Sequence, residues 1–229
     1  MPILGRPMLE RQVERLRRAH RIQTLVLATS TDKSDDPLAE LAENLGLVCF
    51  RGSLNDVLDR FYLAAKQSCA PTIMRLTADC PLADPVLIDR VIEFFVAGEF
   101  DYVSSSLVPT FPDGLDVEVV RFSCVEEAWR EAWLPSEREH VLPYIYEKPD
   151  RFKLGVFTSD VNRSHLRWTV DEPEDLELVT RIFEALYPTN PAFSTADVLA
   201  LLERQPELAR LNAHHVRNAG GLCPAGNPS

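Results

Sequence analysis

Apolar and polar positions alternate along the first hundred residues with two distinct periods. From Pro7 to His20, Leu9, Val13, Leu16 and Ala19 recur at helical spacing between arginines. This predicts an amphipathic helix whose charged side chains form a solvated face. The run Ile22–Ala28 has the unbroken apolar character of a buried parallel strand. Asp36-Pro37 opens a helix that Gly46 closes, and Leu47–Phe50 reads as a short strand. Ser53-Leu-Asn-Asp56 has the outline of a capping box, with Asp in place of the usual Glu, and begins a helix to about Ser68. A strand over 72–76 and a helix over 85–97, stopped by Gly98, come next. Asp101-Tyr-Val-Ser-Ser predicts another strand.

The second half changes character. Asp116–Phe122 alternates in the manner of a more exposed, antiparallel strand. Helical patterns cover 123–133 and 137–147, and strands are expected near 152–157 and 166–170. Asp171-Glu-Pro173-Glu-Asp175 opens a helix to about Leu186, and further helical segments cover 194–204 and 206–216. From Asn218 onward Gly, Pro and Asn dominate, which predicts a disordered tail over 218–229. Helices alternating with strands through short connections predict an α/β fold, a mostly parallel, doubly wound sheet with helices on both faces. Residues 1–205 form the expected domain and 206–217 a C-terminal helix.

Composition narrows the partners. The chain has 229 residues, 45% of them hydrophobic, enough for one sizeable core. A formal net charge of −11 argues against a nucleic-acid polymer, whose phosphates reward a basic surface, but not against a single nucleotide. Arginines 6, 11, 15, 17, 18 and 21 make the N-terminus locally basic. The five cysteines at 49, 69, 80, 124 and 223 are scattered and form no Cys-x-x-Cys, as befits free thiols in a reducing compartment. Cys80 reads as a packing residue rather than a nucleophile. No 18-residue apolar run and no signal-peptide pattern appears, so a soluble, cytoplasmic protein without a membrane partner is expected.

The densest chemistry lies in Ile73-Met-Arg-Leu-Thr-Ala-Asp79-Cys-Pro-Leu-Ala-Asp84-Pro85. A strand ends, an acidic residue follows, and Asp84-Pro85 caps and opens a helix. Ligands of open α/β sheets bind at the carboxyl ends of strands, which places Asp79 where a carboxylate can hold a metal over a phosphate; the ordinary alternative is a turn-capping aspartate. Asp171 repeats the arrangement after Arg167-Trp-Thr-Val, although Asp before a helix is also common capping chemistry. Two such carboxylates together suit Mg²⁺, which takes one or two carboxylates plus phosphate oxygens. Phe111-Pro-Asp113-Gly114-Leu-Asp116-Val-Glu118 contains a turn signal, and Glu118 faces a ligand if its strand lines a pocket. His140, in Ser136-Glu-Arg138-Glu-His140, is either a ligand contact or a surface residue. Arg51-Gly52-Ser53 precedes a helix N-terminus, a natural anion position.

Six segments in order carry a resemblance to a known family: Pro2-Ile-Leu-Gly-Arg-Pro7-Met-Leu, Arg51-Gly-Ser-Leu-Asn-Asp-Val-Leu-Asp-Arg60, Arg75-Leu-Thr-Ala-Asp79-Cys-Pro-Leu82, Pro112-Asp-Gly-Leu-Asp-Val-Glu118, Arg138-Glu-His140-Val, and Thr169-Val-Asp171-Glu-Pro-Glu-Asp175-Leu. Over roughly residues 2–205 the chain resembles the cytidylyltransferases that activate acidic or related sugars for surface polysaccharides. The likeness is nearest to the spore coat polysaccharide biosynthesis protein F branch, kin to the 3-deoxy-manno-octulosonate and acylneuraminate enzymes. It implies a Rossmann-like nucleotide-diphospho-sugar transferase fold and formation of a CMP-sugar from CTP and a sugar, with release of pyrophosphate. It implies Asp79 and Asp171 as metal carboxylates, Arg75 beside them on the feeding strand, Arg51 and Ser53 toward the nucleotide, and Asp113, Glu118 and His140 toward the sugar. A homodimer through roughly 110–150 is a further implication.

Family members carry a short strand and a basic phosphate-cradling loop before the Pro-x-x-Gly-Lys/Arg-Pro segment, whereas here Met1 abuts that segment. The resemblance therefore implies neighbouring strands with unpaired edges, and a chain that as written is poorly soluble or inactive. A glycosyltransferase on the same fold is the competing enzyme class, but its usual Asp-x-Asp after a strand is absent, since Asp113 and Asp116 are three apart. A non-catalytic nucleotide-sugar-binding paralogue is the competing non-enzyme.

Overall fold

The computed structural model describes residues 1–217. The expected disordered tail lies outside the described residues. A short antiparallel hairpin, β1 (Pro2–Ile3) and β2 (Arg6–Pro7), leads into α1 (Met8–Leu16). Next come β3 (Val26–Ser30), α2 (Asp36–Asn44) and β4 (Val48–Gly52), with β3 and β4 paired parallel from Val26 opposite Val48. α3 (Val57–Gln67) is capped by Asp56, which accepts from the Asp59 amide. The cap is thus three residues later than the capping-box outline suggests. Ser53 Oγ instead accepts from the Asp56 amide and shapes the turn before it.

β5 (Thr72–Arg75) and α4 (Pro85–Ala97) follow, and Asp84 caps α4 through the Val86 and Leu87 amides as its sequence predicts. The remaining strands are β6 (Tyr102–Ser104), β7 (Glu118–Arg121) and β8 (Leu154–Val156). The remaining helices are α5 (Phe122–Glu131), α6 (Pro135–His140), α7 (Pro143–Tyr146), α8 (Pro173–Leu186), α9 (Thr195–Arg204) and α10 (Pro206–Arg210).

The main sheet has the order β5-β7-β6-β8. β6 and β8 are parallel, while β7 runs antiparallel to both of its neighbours. The sheet is therefore mixed rather than mostly parallel. β7 is antiparallel as expected but not exposed: it lies between β5 and β6, and Val119 and Val120 are buried on opposite faces. The strand expected near 166–170 does not form. Its backbone is divided between two loops, with one bridge to Asp113 and one hydrogen bond to Asp79, so no ladder can propagate. The helix expected over 137–147 breaks into α6 and α7, because Val141 sits at φ 76° and Pro143 follows. The last helix stops at Arg210, well before 216.

Period-two alternation sends neighbouring strand residues to two cores. Val103 and Val119 pack with Ile88 and Val91 of α4 and with Leu178 and Ile182 of α8. Tyr102 and Val120 pack with Leu58 of α3, Val125 of α5 and Ile145 of α7. Helices thus cover both faces. Among the described residues β3 pairs only with β4 and β5 only with β7, which leaves one edge of each without a ladder partner. Leu25–Ala28 and Ile73–Met74 are accordingly only half-buried. Among the described residues no helix is long and apolar enough to cross a membrane.

Candidate active site

The register Arg75–Glu118–Ser104–Val156 runs across all four strands. Since β5, β6 and β8 share one direction, their carboxyl ends and the start of β7 lie at the same end of the sheet. Three loops emerge there: 76–84 after β5, 105–117 after β6 and 157–172 after β8. They carry Asp79, Asp113 and Asp171 respectively.

The loop bearing Asp79 is held by α1. Gln12 Nε2 donates to Thr77 O at 2.7 Å, and Arg15 donates through Nε to Ala83 O at 2.9 Å and through Nη1 to Phe193 O at 3.0 Å. Arg11, Gln12 and Arg15 are all buried, which corrects the expectation of a solvated arginine face. These side chains satisfy carbonyls of the loop and of the β1–β2 hairpin, a demand that a repeating charge pattern cannot reveal. Burial lowers the Arg15 guanidinium to about 10.

The other two loops dock on each other and then on Asp79. Asp113 N donates to Leu166 O at 2.9 Å, Trp168 N to Asp113 O at 2.7 Å, and Val170 N to Asp79 O at 2.9 Å. Gly114 makes this approach possible: at φ +95° it lies so near that a Cβ would stand 2.5 Å from Thr169 N. The Pro-Asp-Gly triplet is thus a docking turn and not a hairpin. Arg167, held by this contact, donates to Asp171 Oδ2 at 2.6 Å, to Asp175 Oδ2 at 2.9 Å and to Asp113 Oδ2 at 3.4 Å. Arg217 donates to Asp116 Oδ1 at 2.6 Å and to Phe111 O at 3.2 Å.

The charges in this cluster follow from burial set against pairing. Burial, helped by Asp171 and Asp79, pushes the Asp113 carboxyl up against the pull of Arg217 and Arg167. Burial likewise pushes Asp116 up to about 6. Asp175 is fully buried, yet Arg167, Asn212 and the Glu172 and Asp171 amides outweigh burial and hold it below its ordinary range. Asp171 differs: its side chain is half exposed, so its carboxylate remains accessible to a ligand. Asp79, Asp113 and Asp171 share one end of the sheet without closing to within 4.8 Å as a set.

Arg75 donates to Glu118 Oε2 at 2.6 Å, and Tyr102 OH donates to Glu118 Oε1 at 2.5 Å. Both oxygens of Glu118 are therefore engaged. Burial alone would lower Arg75, but Glu118, Tyr102 and Asp79 raise it. Cys80 donates from Sγ to Asp79 Oδ1 at 3.2 Å, and burial pushes its thiol well above the ordinary value, which agrees with packing rather than nucleophilic use.

The remaining sequence-selected residues make no hydrogen bond or ion pair with this cluster among the described residues. Arg51 donates to Ser30 O and Asp32 O and pairs with Asp36, joining the ends of β3 and β4. Ser53 lies in the turn before α3. His140 ends α6, a helix pinned to α3 by Arg138 on Asp56. Sequence reasoning passed over Gln12, Arg15, Tyr102, Arg167, Asp175 and Arg217. Only Arg167 carried a signal, a lone cation four residues before a strand-end aspartate.

A family model described as Cytidylyltransferase matches residues 1–204. Over 211 residues the chain is 35% identical to an uncharacterized protein, MJ1063, of Methanocaldococcus jannaschii, covering 91% of this chain and 85% of that protein. It is 29% identical over 217 residues to the spore coat polysaccharide biosynthesis protein SpsF of Bacillus subtilis, covering 91% and 88% respectively. The solved structure of a cytidylyltransferase from Leptospira borgpetersenii superposes with a TM-score of 0.87 at 30% identity, covering 91% of this chain and 88% of that one.

Proposed function

The chain belongs to the cytidylyltransferase family, and from that premise we propose that it joins CTP to an acidic or keto sugar, forming a CMP-sugar and pyrophosphate for surface polysaccharide synthesis. The observation that carries the reading is the Val170–Asp79 backbone hydrogen bond, which unites the loop of Asp79 after β5 with the loop of Asp171 before α8 at the carboxyl end of the sheet. The roles proposed for Asp79 and the half-exposed Asp171 offer oxygen donors alone, which would suit a hard cation such as Mg²⁺ with substrate phosphates completing its shell. When bound, that ion neutralises charge on the phosphates.

The chain's own residues supply orientation and charge. A sugar oxygen attacks the α-phosphorus in line and pyrophosphate departs, so catalysis rests on positioning. Arg75 meets the phosphates, and Glu118 fixes its guanidinium plane from the neighbouring strand. Asp113 and His140 serve the sugar, while Arg51 and Ser53 serve the nucleotide. Gln12 and Arg15 hold the Asp79 loop in place.

The test pairs thermal shift with pyrophosphate release. In this proposal the chain is active, unlike the inactive chain that the resemblance alone implies: CTP with Mg²⁺ raises the unfolding midpoint by mass action, and one member of a panel of acidic and keto sugars supports pyrophosphate formation. Asp79→Ala loses the turnover and the Mg²⁺-dependent part of the shift. Stabilisation by UDP-sugars without any by CTP, or no response to nucleotides at all, would overturn the proposal.

A further inference from the structure

Beside this site, but outside it, two imidazoles and a carboxylate converge. Glu174 lies in the first turn of α8, and His214 and His215 lie in the segment that follows α10. One ligand atom from each falls within 4.8 Å of the other two, and no other group of three potential ligands does so among the described residues. His215 Nε2 is 3.3 Å from Glu174 Oε2, and the two histidine ring centroids are 4.0 Å apart.

We propose that Glu174, His214 and His215 form a binding site for a transition-metal ion of the Zn²⁺ class, with an open fourth position. The donor set is the first support. Two neutral imidazoles and one carboxylate suit Zn²⁺ or Co²⁺, whereas Mg²⁺ prefers oxygen alone. Spacing is the second. Bonds of about 2.0–2.2 Å at tetrahedral angles put ligand atoms about 3.4 Å apart, and the His215–Glu174 separation of 3.3 Å is already that edge. A lone ion pair would account for these two side chains and leave His214 unexplained. The His214 side chain is exposed and makes no hydrogen bond among the described residues, so a side-chain torsion is free to bring it in.

Preorganisation is the third support. Asn212 is 2% exposed and donates from Nδ2 to Arg167 O at 2.9 Å and to Asp175 Oδ1 at 2.7 Å. His215 N then donates to Asn212 O at 3.0 Å, closing a turn that sets both histidines against α8. The anchor is built from backbone and buried groups, so the histidines need not locate Glu174 by diffusion. An ion here clamps residues 212–217 to α8, and with them Arg217 on Asp116.

The assignment is independent of the roles given to Asp79 and Asp171. Tag-free full-length protein, stripped with chelator, is titrated with ZnCl₂ by calorimetry and with CoCl₂ by visible absorption. One Zn²⁺ per chain is expected, together with a Co²⁺ ligand-field band of low coordination number, and neither is displaced by millimolar Mg²⁺. His214→Ala, His215→Ala and Glu174→Ala each weaken Zn²⁺ binding at least ten-fold and lose the band, while Asp79→Ala keeps both. Absence of Zn²⁺ binding by the unsubstituted protein, or affinity unchanged in His214→Ala and His215→Ala, overturns the proposal. Circular dichroism of each variant confirms that it remains folded.

Discussion

Replacing Gly114 by alanine tests the docking that assembles the site. The backbone penalty comes first: φ +95° disfavours any side chain, by roughly 1–2 kcal/mol. Contact comes second. The new methyl would lie 2.5 Å from Thr169 N, 2.6 Å from Trp168 C and 2.9 Å from Trp168 O, all rigid backbone atoms. Ordinary contact begins at 3.4 Å, so the two loops must part by about 0.9 Å. Such a shift stretches the 2.7 Å Trp168–Asp113 and 2.9 Å Asp113–Leu166 hydrogen bonds beyond useful length. At about 1 kcal/mol for each bond, that adds about 2 kcal/mol. Gly114→Ala should therefore lose about 3–4 kcal/mol. Gly46→Ala is the control, because Gly46 has φ +64° and a methyl added there would meet nothing within 4 Å, so it bears the backbone penalty alone. The unfolded-state entropy gained by each alanine is common to both and cancels. Urea unfolding of the two variants isolates the docking contribution as their difference. If Gly114→Ala is no less stable than Gly46→Ala, the loops do not meet as described.

Other consequences of the cluster can be checked in the same way. Arg167→Met strands the fully buried Asp175 carboxylate and should cost about 3–5 kcal/mol in urea unfolding. Asp175 is held below its ordinary range in the folded protein, so its contribution is present above pH 3.8 and lost as the pH falls through its folded value. In Arg167→Met burial is left unopposed by the guanidinium, protonation relieves the stranded carboxylate, and the stability deficit of the variant should shrink as the pH falls toward about 3. Asp116 has the opposite sign. Its folded value of about 6 exceeds 3.8, so the folded state retains a proton that the unfolded chain has released, and stability falls as pH rises between these values. Asp116→Asn should flatten that part of the stability profile, and an unchanged slope would refute the assignment. Glu118→Gln preserves shape but removes the charge facing Arg75; kcat should drop about ten- to a hundred-fold with the CTP KM little altered, the equivalent of one charge-assisted hydrogen bond. Turnover equal to that of the unsubstituted enzyme would mean that Glu118 does not orient Arg75.

Local chemistry determined a good deal of this protein without any fold. Asp84-Pro85 capped and opened its helix where it stood, since a side-chain oxygen and two amides within three residues suffice. The apolar runs before Ser30, Gly52 and Arg75 became strands, and Asp79 became a loop residue at a carboxyl end. Those features depend on neighbours within one turn or one strand. The tertiary structure decided which loops meet. The sequence pattern at 166–170 looks like a strand, yet its hydrogen bonds go to Asp113 and Asp79, more than fifty residues away, and no local period encodes that choice. The arginines of α1 read as a wet face because their spacing is that of a solvated helix; only the carbonyls of a distant loop make their burial favourable. Arg217 meets Asp116 across a hundred residues for the same reason. Residue type and spacing therefore determined the candidate aspartates, while the long-range pairing of backbone and charge determined what holds them together.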